Sequence, residues 1–131
     1  MGHQIGWDNE NKTVVLQAYA DDASKEDLYH LVRKSAELLG TVKHTVHLIV
    51  DERKFNPILT QTDIAYIEKQ MPENQGVVVV IVSSSHRKYK MAVLDLGQRM
   101  HLKTFSESYF ADSLEHARQF LQEAFGVRYA S

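Results

Sequence analysis

The sequence predicts one α/β domain over residues 1–131, with a mixed, mostly parallel five-stranded sheet and four helices in the order β-β-α-β-α-β-α-β-α. Three observations carry that expectation. Val77–Val82 is an unbroken run of β-branched apolar residues, the pattern of a strand buried on both faces of a parallel sheet. Thr45–Asp51, TVHLIVD, is a second strand-like run. Between and beyond these runs lie segments whose apolar residues recur at helical spacing. Strands alternating with helices imply parallel neighbours joined by crossovers.

In chain order, Ile5–Trp7 is a short apolar start, and Asp8–Lys12 is a turn by composition. Thr13–Ala20 reads as a strand, so the two form a hairpin that adds one antiparallel edge strand. Ser24 is a good N-cap, and Glu26 and Asp27 place negative charge in the first helical turn, where the dipole favours it. Leu28, Leu31, Val32, Ser35, Leu38 and Leu39 form one stripe, and Gly40 is the expected stop. In the next strand Val46, Leu48 and Val50 share one face, and Thr45, His47, Ile49 and Asp51 the other. A polar stretch, Glu52–Leu59, leads to a helix capped by Thr60 or Thr62, with Thr60 and Asp63 spaced as a capping box. Ile64, Ile67 and Met71 face inward in it, and Pro72 and Asn74 close it. After the valine strand a helix is expected over Ser85–Met100, then an edge strand over Thr104–Phe110. Asp112 or Ser113 caps the last helix, with Leu114, Ala117, Phe120, Leu121 and Ala124 inward and Gly126 at its end.

Composition removes several function classes. There is no cysteine, hence no disulfide framework, thiolate metal site or cysteine nucleophile. A net charge of −2 gives no overall electrostatic case for nucleic acid or an anionic membrane. The valine run is far too short to span a bilayer, so no membrane insertion is expected. The amino-terminal residues show no secretion pattern, and a cytoplasmic location is expected. The seven histidines form no metal motif: His44 and His47 are three apart in or near a strand, which sends them to opposite faces. No G-x-S-x-G surrounds any serine of Ser83–Ser85. No cofactor is expected.

The candidate site lies at the carboxyl edge of the sheet, where open α/β sheets bind ligands. Asp51 ends a buried strand, with Arg53 just beyond, and suits orienting a ligand. Capping a turn explains the same acid and is the favoured reading. Ser83, Ser84 and Arg87 bring hydroxyls and positive charge to a helix start, which suits a small anion. A plain cap with a solvated basic turn is the competing reading. Thr60 and Thr62 are phosphoacceptor candidates, because a phosphate at a helix N-terminus meets free N–H groups. N-capping needs only the hydroxyl and is the better account of both.

A resemblance covers nearly the whole chain. The tryptophan-bearing first strand, the helix start Ser24–Leu28, KHTVHLIVD over Lys43–Asp51, VVVVIVSSS over Val77–Ser85 and LEHARQFL over Leu114–Leu121 carry it. In these features the chain resembles the small anti-sigma-factor-antagonist-like (STAS-like) domains, most closely uncharacterised bacterial single-domain proteins of that build. In STAS regulators the loop after the strand matching Thr45–Asp51 bears a phosphorylatable Ser or Thr, usually beside an Asp-Ser pair. Here that loop reads DERKFNPILTQTD, longer and without the pair. The resemblance therefore implies a non-enzymatic binding or regulatory module, with a protein partner or a second copy in a homodimer, more than a specific switch. The alternative expectation is a carrier or sensor of a small anionic or lipid-like ligand.

Overall fold

The structure is a computed structural model that describes residues 2–55, 59–82, 91 and 108–129. Five strands form one mixed sheet, β1 (His3–Trp7), β2 (Val14–Tyr19), β3 (Val46–Asp51), β4 (Gln75–Ile81) and β5 (Ser108–Ala111), lying side by side in chain order. β1 is antiparallel to β2, and the other three neighbouring pairs are parallel. This is the expected mixed, mostly parallel sheet with an antiparallel hairpin strand at one edge. The described helices are α1 (Lys25–Gly40), α2 (Gln61–Gln70) and α3 (Leu114–Phe125). The fourth expected helix, Ser85–Met100, lies outside the described residues except for Met91, which is exposed. Of the expected edge strand Thr104–Phe110, residues 104–107 lie outside them too, and the described part runs on to Ala111.

Two cores flank the sheet. On one side α1 and α2 pack Leu28, Leu31, Val32, Leu39 and Ile67 against Val15, Tyr19, Val46, Leu48, Val50 and Val78. On the other, α3 sets Ala117 and Leu121 against Val14, Ile49, Val77, Val79, Ile81 and Ala111. The faces of β3 fall as the alternation required. The valine strand supplies both cores, which explains its lack of polar residues. Ser35 faces inward as its spacing implied because Gln17 Nε2 donates to its hydroxyl at 2.6 Å inside the core.

The caps explain where the helices begin and end. Thr60, not Thr62, caps α2: the Asp63 amide donates to Thr60 Oγ1 at 3.2 Å, and the Thr60 amide donates to Asp63 Oδ2 at 2.9 Å. Ser113, not Asp112, caps α3 by accepting from the His116 amide at 3.0 Å. Gly126 ends α3 at φ 68°, the left-handed region glycine favours. Gly40 does not play that part. It is the last residue of α1, and Thr41 closes the helix in a right-handed conformation, its hydroxyl donating to the Leu38 carbonyl at 2.6 Å. Ala124 is exposed although it shares the helical face of Ala117 and Leu121, because it lies in the last turn of α3, where residues 122–126 are all exposed.

A bulge interrupts the β3–β4 ladder between Val46 and Leu48. There the Val77 amide donates to His47 Nδ1 at 3.0 Å, and a Cβ on Gly76 would fall 2.3 Å from the same nitrogen. His47 is thus a satisfied structural histidine. His44 precedes the strand, with its ring against the Lys12 carbonyl at 2.8 Å.

Candidate functional site at the carboxyl edge

The parallel strands bring the end of β2, the end of β3 and the N-termini of α1 and α2 to one edge of the sheet. Asp51 and Arg53 come together there. Arg53 Nε donates to Asp51 Oδ1 at 3.0 Å, Nη2 to Oδ2 at 2.7 Å, and the Arg53 amide to Oδ1 at 3.1 Å. Partial burial opposes the charge on Asp51, but the Arg53 hydrogen bonds together outweigh it and hold the carboxyl below its usual range. Asp51 thus closes a turn on its own successor, as strand-end acids do.

Asp63 is the centre of the edge and the residue whose role the sequence does not reveal. Its cap position is visible in the spacing, but its reach into α1 is not. Its side chain is 5% exposed. Besides the Thr60 amide, it accepts from Lys25 Nζ at 2.5 Å and from the Tyr29 hydroxyl. Burial opposes its ionisation, yet these donors hold the carboxyl far below the ordinary range. Tyr29 is shifted upward by the same bond, and its ring meets that of Tyr66 edge-on at 4.7 Å. One carboxylate therefore caps α2 and ties it to the first turns of α1. Thr60 and Thr62 are both exposed at this helix start.

Beside this lock, Tyr19 is buried against Phe55, with ring centroids 5.3 Å apart. Its hydroxyl is pushed well above the usual phenol range, first by burial and then by the negative charges of Glu52 and Asp27. His3 Nδ1 donates to Asp27 Oδ1 at 2.6 Å, while Asp27 Oδ2 accepts from the Ser24 amide at 2.7 Å. This pair fastens β1 to α1, and the His3 bond is the main reason the Asp27 carboxyl lies below its usual range. Ser83, Ser84 and Arg87 lie outside the described residues, so their expected convergence with Asp51 does too. Among the described residues no group of three or more His, Asp or Glu side chains is placed to hold a metal ion. No described helix is long and apolar enough to cross a membrane.

A second polar centre, missed in the sequence, lies at the opposite edge. The Asp8 side chain is almost fully buried, 3% exposed. Arg118 grips it through Nη2 at 2.6 Å and Nε at 3.1 Å, and the Tyr129 hydroxyl donates to it at 2.7 Å. Burial and that bond raise the Tyr129 hydroxyl above its usual range. An open cleft of about 1020 Å³ lies over this group, lined in part by Trp7, Glu10, Glu115 and Gln122. Residues 110 and 121 positions apart meet here, and no local pattern signals such a pairing.

No protein-family model, curated protein or solved structure matches this chain.

Proposed function

We propose that the chain is a non-enzymatic, STAS-like interaction and regulatory module that acts as a homodimer. The observation that carries this reading is the lock at Asp63. An exposed hydroxyl, Thr60, is hydrogen-bonded to the amide of a residue whose buried carboxylate also holds Lys25 and Tyr29 of the neighbouring helix. A partner or a modification acting at this exposed point bears on two helices at once, the property a regulatory surface needs. A phosphate on Thr60 would replace the capping hydroxyl with a dianion beside Asp63, repelling that carboxylate while attracting Lys25. Thr62 offers a second acceptor on the same turn. The other charged groups of the edge favour structure over chemistry, since Asp51 is engaged by Arg53 and Asp27 by His3.

The second reading, a carrier or sensor of a small anionic or lipid-like ligand, draws on Arg53 and Lys54, both exposed just after β3. It predicts binding through Arg53 together with Ser83, Ser84 and Arg87.

Native mass spectrometry of protein purified from its own cells separates the two. A dimer without adduct is the expected result. A stoichiometric small-molecule adduct would overturn the interaction reading in favour of the carrier. A gain of about 80 Da, one phosphoryl group, mapped to Thr60 or Thr62 would make the module a phospho-switch.

A further inference from the structure

The backbone of β1 points to the surface through which two copies join. The Ala20 amide donates to the Gly2 carbonyl and the Asp8 amide to the Val14 carbonyl, each at 2.8 Å, in the register that pairs Gln4 with Ala18 and Gly6 with Leu16. In an antiparallel ladder hydrogen-bonded and non-bonded pairs alternate. The even-numbered residues of β1 therefore bond to β2, and the N–H and C=O groups of His3, Ile5 and Trp7 point away from it. Among the described residues β2 is the only strand that pairs with β1.

Open edges of this kind are normally blunted by lysine, proline, inward charge or a bulge. Residues 2–7, GHQIGW, contain no Lys, Arg, Asp, Glu or Pro, and the bulge of this sheet lies elsewhere, between β3 and β4. The strand is also held in place before any partner arrives. Gly2 fits closely against the Ala23 backbone, His3 is bonded to Asp27, and Ile5 and Trp7 pack on the α1 core. Preorganisation of this sort lowers the entropy cost of association.

We propose that β1 is the homodimer interface, pairing antiparallel with β1 of a second copy about a two-fold axis through Ile5. This rests on the homodimer reading above and names its surface. The symmetry sets Ile5 against Ile5 of the second copy and Trp7 against its His3, and each such pair exchanges two backbone hydrogen bonds. With no Lys, Arg, Asp or Glu in the strand and His3 set opposite Trp7, the strand meets itself without like-charge opposition. On the opposite face, a Cβ on Gly6 would meet nothing, beside a shallow hollow of about 440 Å³ floored by Leu16 and Ala18. The partner's Gln4 comes opposite Gly6 there. The product is one sheet continuous through both copies.

Light scattering over a dilution series and amide hydrogen exchange test the inference. The wild type is expected to dimerise. Amides of His3, Ile5 and Trp7 should gain protection with concentration, while those of Gln4 and Gly6 stay protected throughout. Ile5→Pro removes an outward N–H that β2 does not use. The double variant Gln4→Lys, Gly6→Lys sets like charges opposite each other across the axis and disturbs no packed side chain. Each is expected to weaken dimerisation at least about tenfold, and the double variant decides the matter if Ile5→Pro fails to fold. The environment-sensitive emission of Trp7, the chain's one tryptophan, reports the same transition. A wild-type dimer that withstands the double variant overturns the β1 interface and leaves the homodimer standing. A wild type that remains monomeric at every concentration overturns both.

Discussion

Asp63 shows how one buried carboxylate becomes stabilising. An ionised carboxyl taken out of water is costly unless its oxygens are fully engaged. Here Lys25, Tyr29 and the Thr60 amide engage them. Its folded-state pKa lies below the unfolded value, so the stability it contributes is complete above the unfolded pKa. It is lost as pH falls through the acid range toward the folded value. Asp63→Asn is expected to cost about 2 kcal/mol at neutral pH, and urea unfolding should show the gap to wild type narrowing below about pH 5. A gap that stays constant down to pH 3 would mean the charge of Asp63 contributes nothing. The cap spacing of Thr60 and Asp63 is visible in the sequence. Lys25 and Tyr29 are not, because partners 38 and 34 residues away meet only when α1 and α2 pack side by side.

At the scale of elements, local chemistry sets most boundaries, and the two helix-terminal glycines show where it stops. Both follow a helical stripe and read alike as stops. Gly126 is left-handed, whereas Gly40 is still helical with open space where a Cβ would be. Their alanine variants should therefore differ in sign. Gly126→Ala is expected to destabilise by about 1 kcal/mol, and Gly40→Ala to stabilise by about 0.5 to 1 kcal/mol. Thermal melts of the two variants check this. The difference was illegible because the Thr41 hydroxyl and amide already serve the carbonyls at the end of α1, leaving no need for a left-handed residue. Gly76 owes its place to another cause, the close approach of the His47 ring at the bulge.

For the whole molecule, the sheet is a layer between two helical coats, and the valine strand β4, flanked by β3 and β5, feeds both cores. Val78 and Val79 are neighbours in sequence but belong to opposite cores. Val78→Ala and Val79→Ala are each expected to cost about 2 kcal/mol in chemical denaturation, from lost methyl burial and the cavity left behind. A sheet covered on one face would tolerate one of them. This much is legible before folding, since a strand with apolar residues at both parities has no side to give to water. The caps at Thr60 and Ser113 and the two faces of β3 follow from the same short-range rules of period and hydrogen bonding. Only tertiary structure decided the rest: the side-by-side order of the strands, the tie of Asp8 to Arg118 and Tyr129, the fastening of His3 to Asp27, and which edge backbone groups point outward. Periodicity and capping act over a few residues and are written in the chain. A charge buried among partners a hundred residues away, or a row of amides left at a sheet's edge, exists only once the strands have found their neighbours.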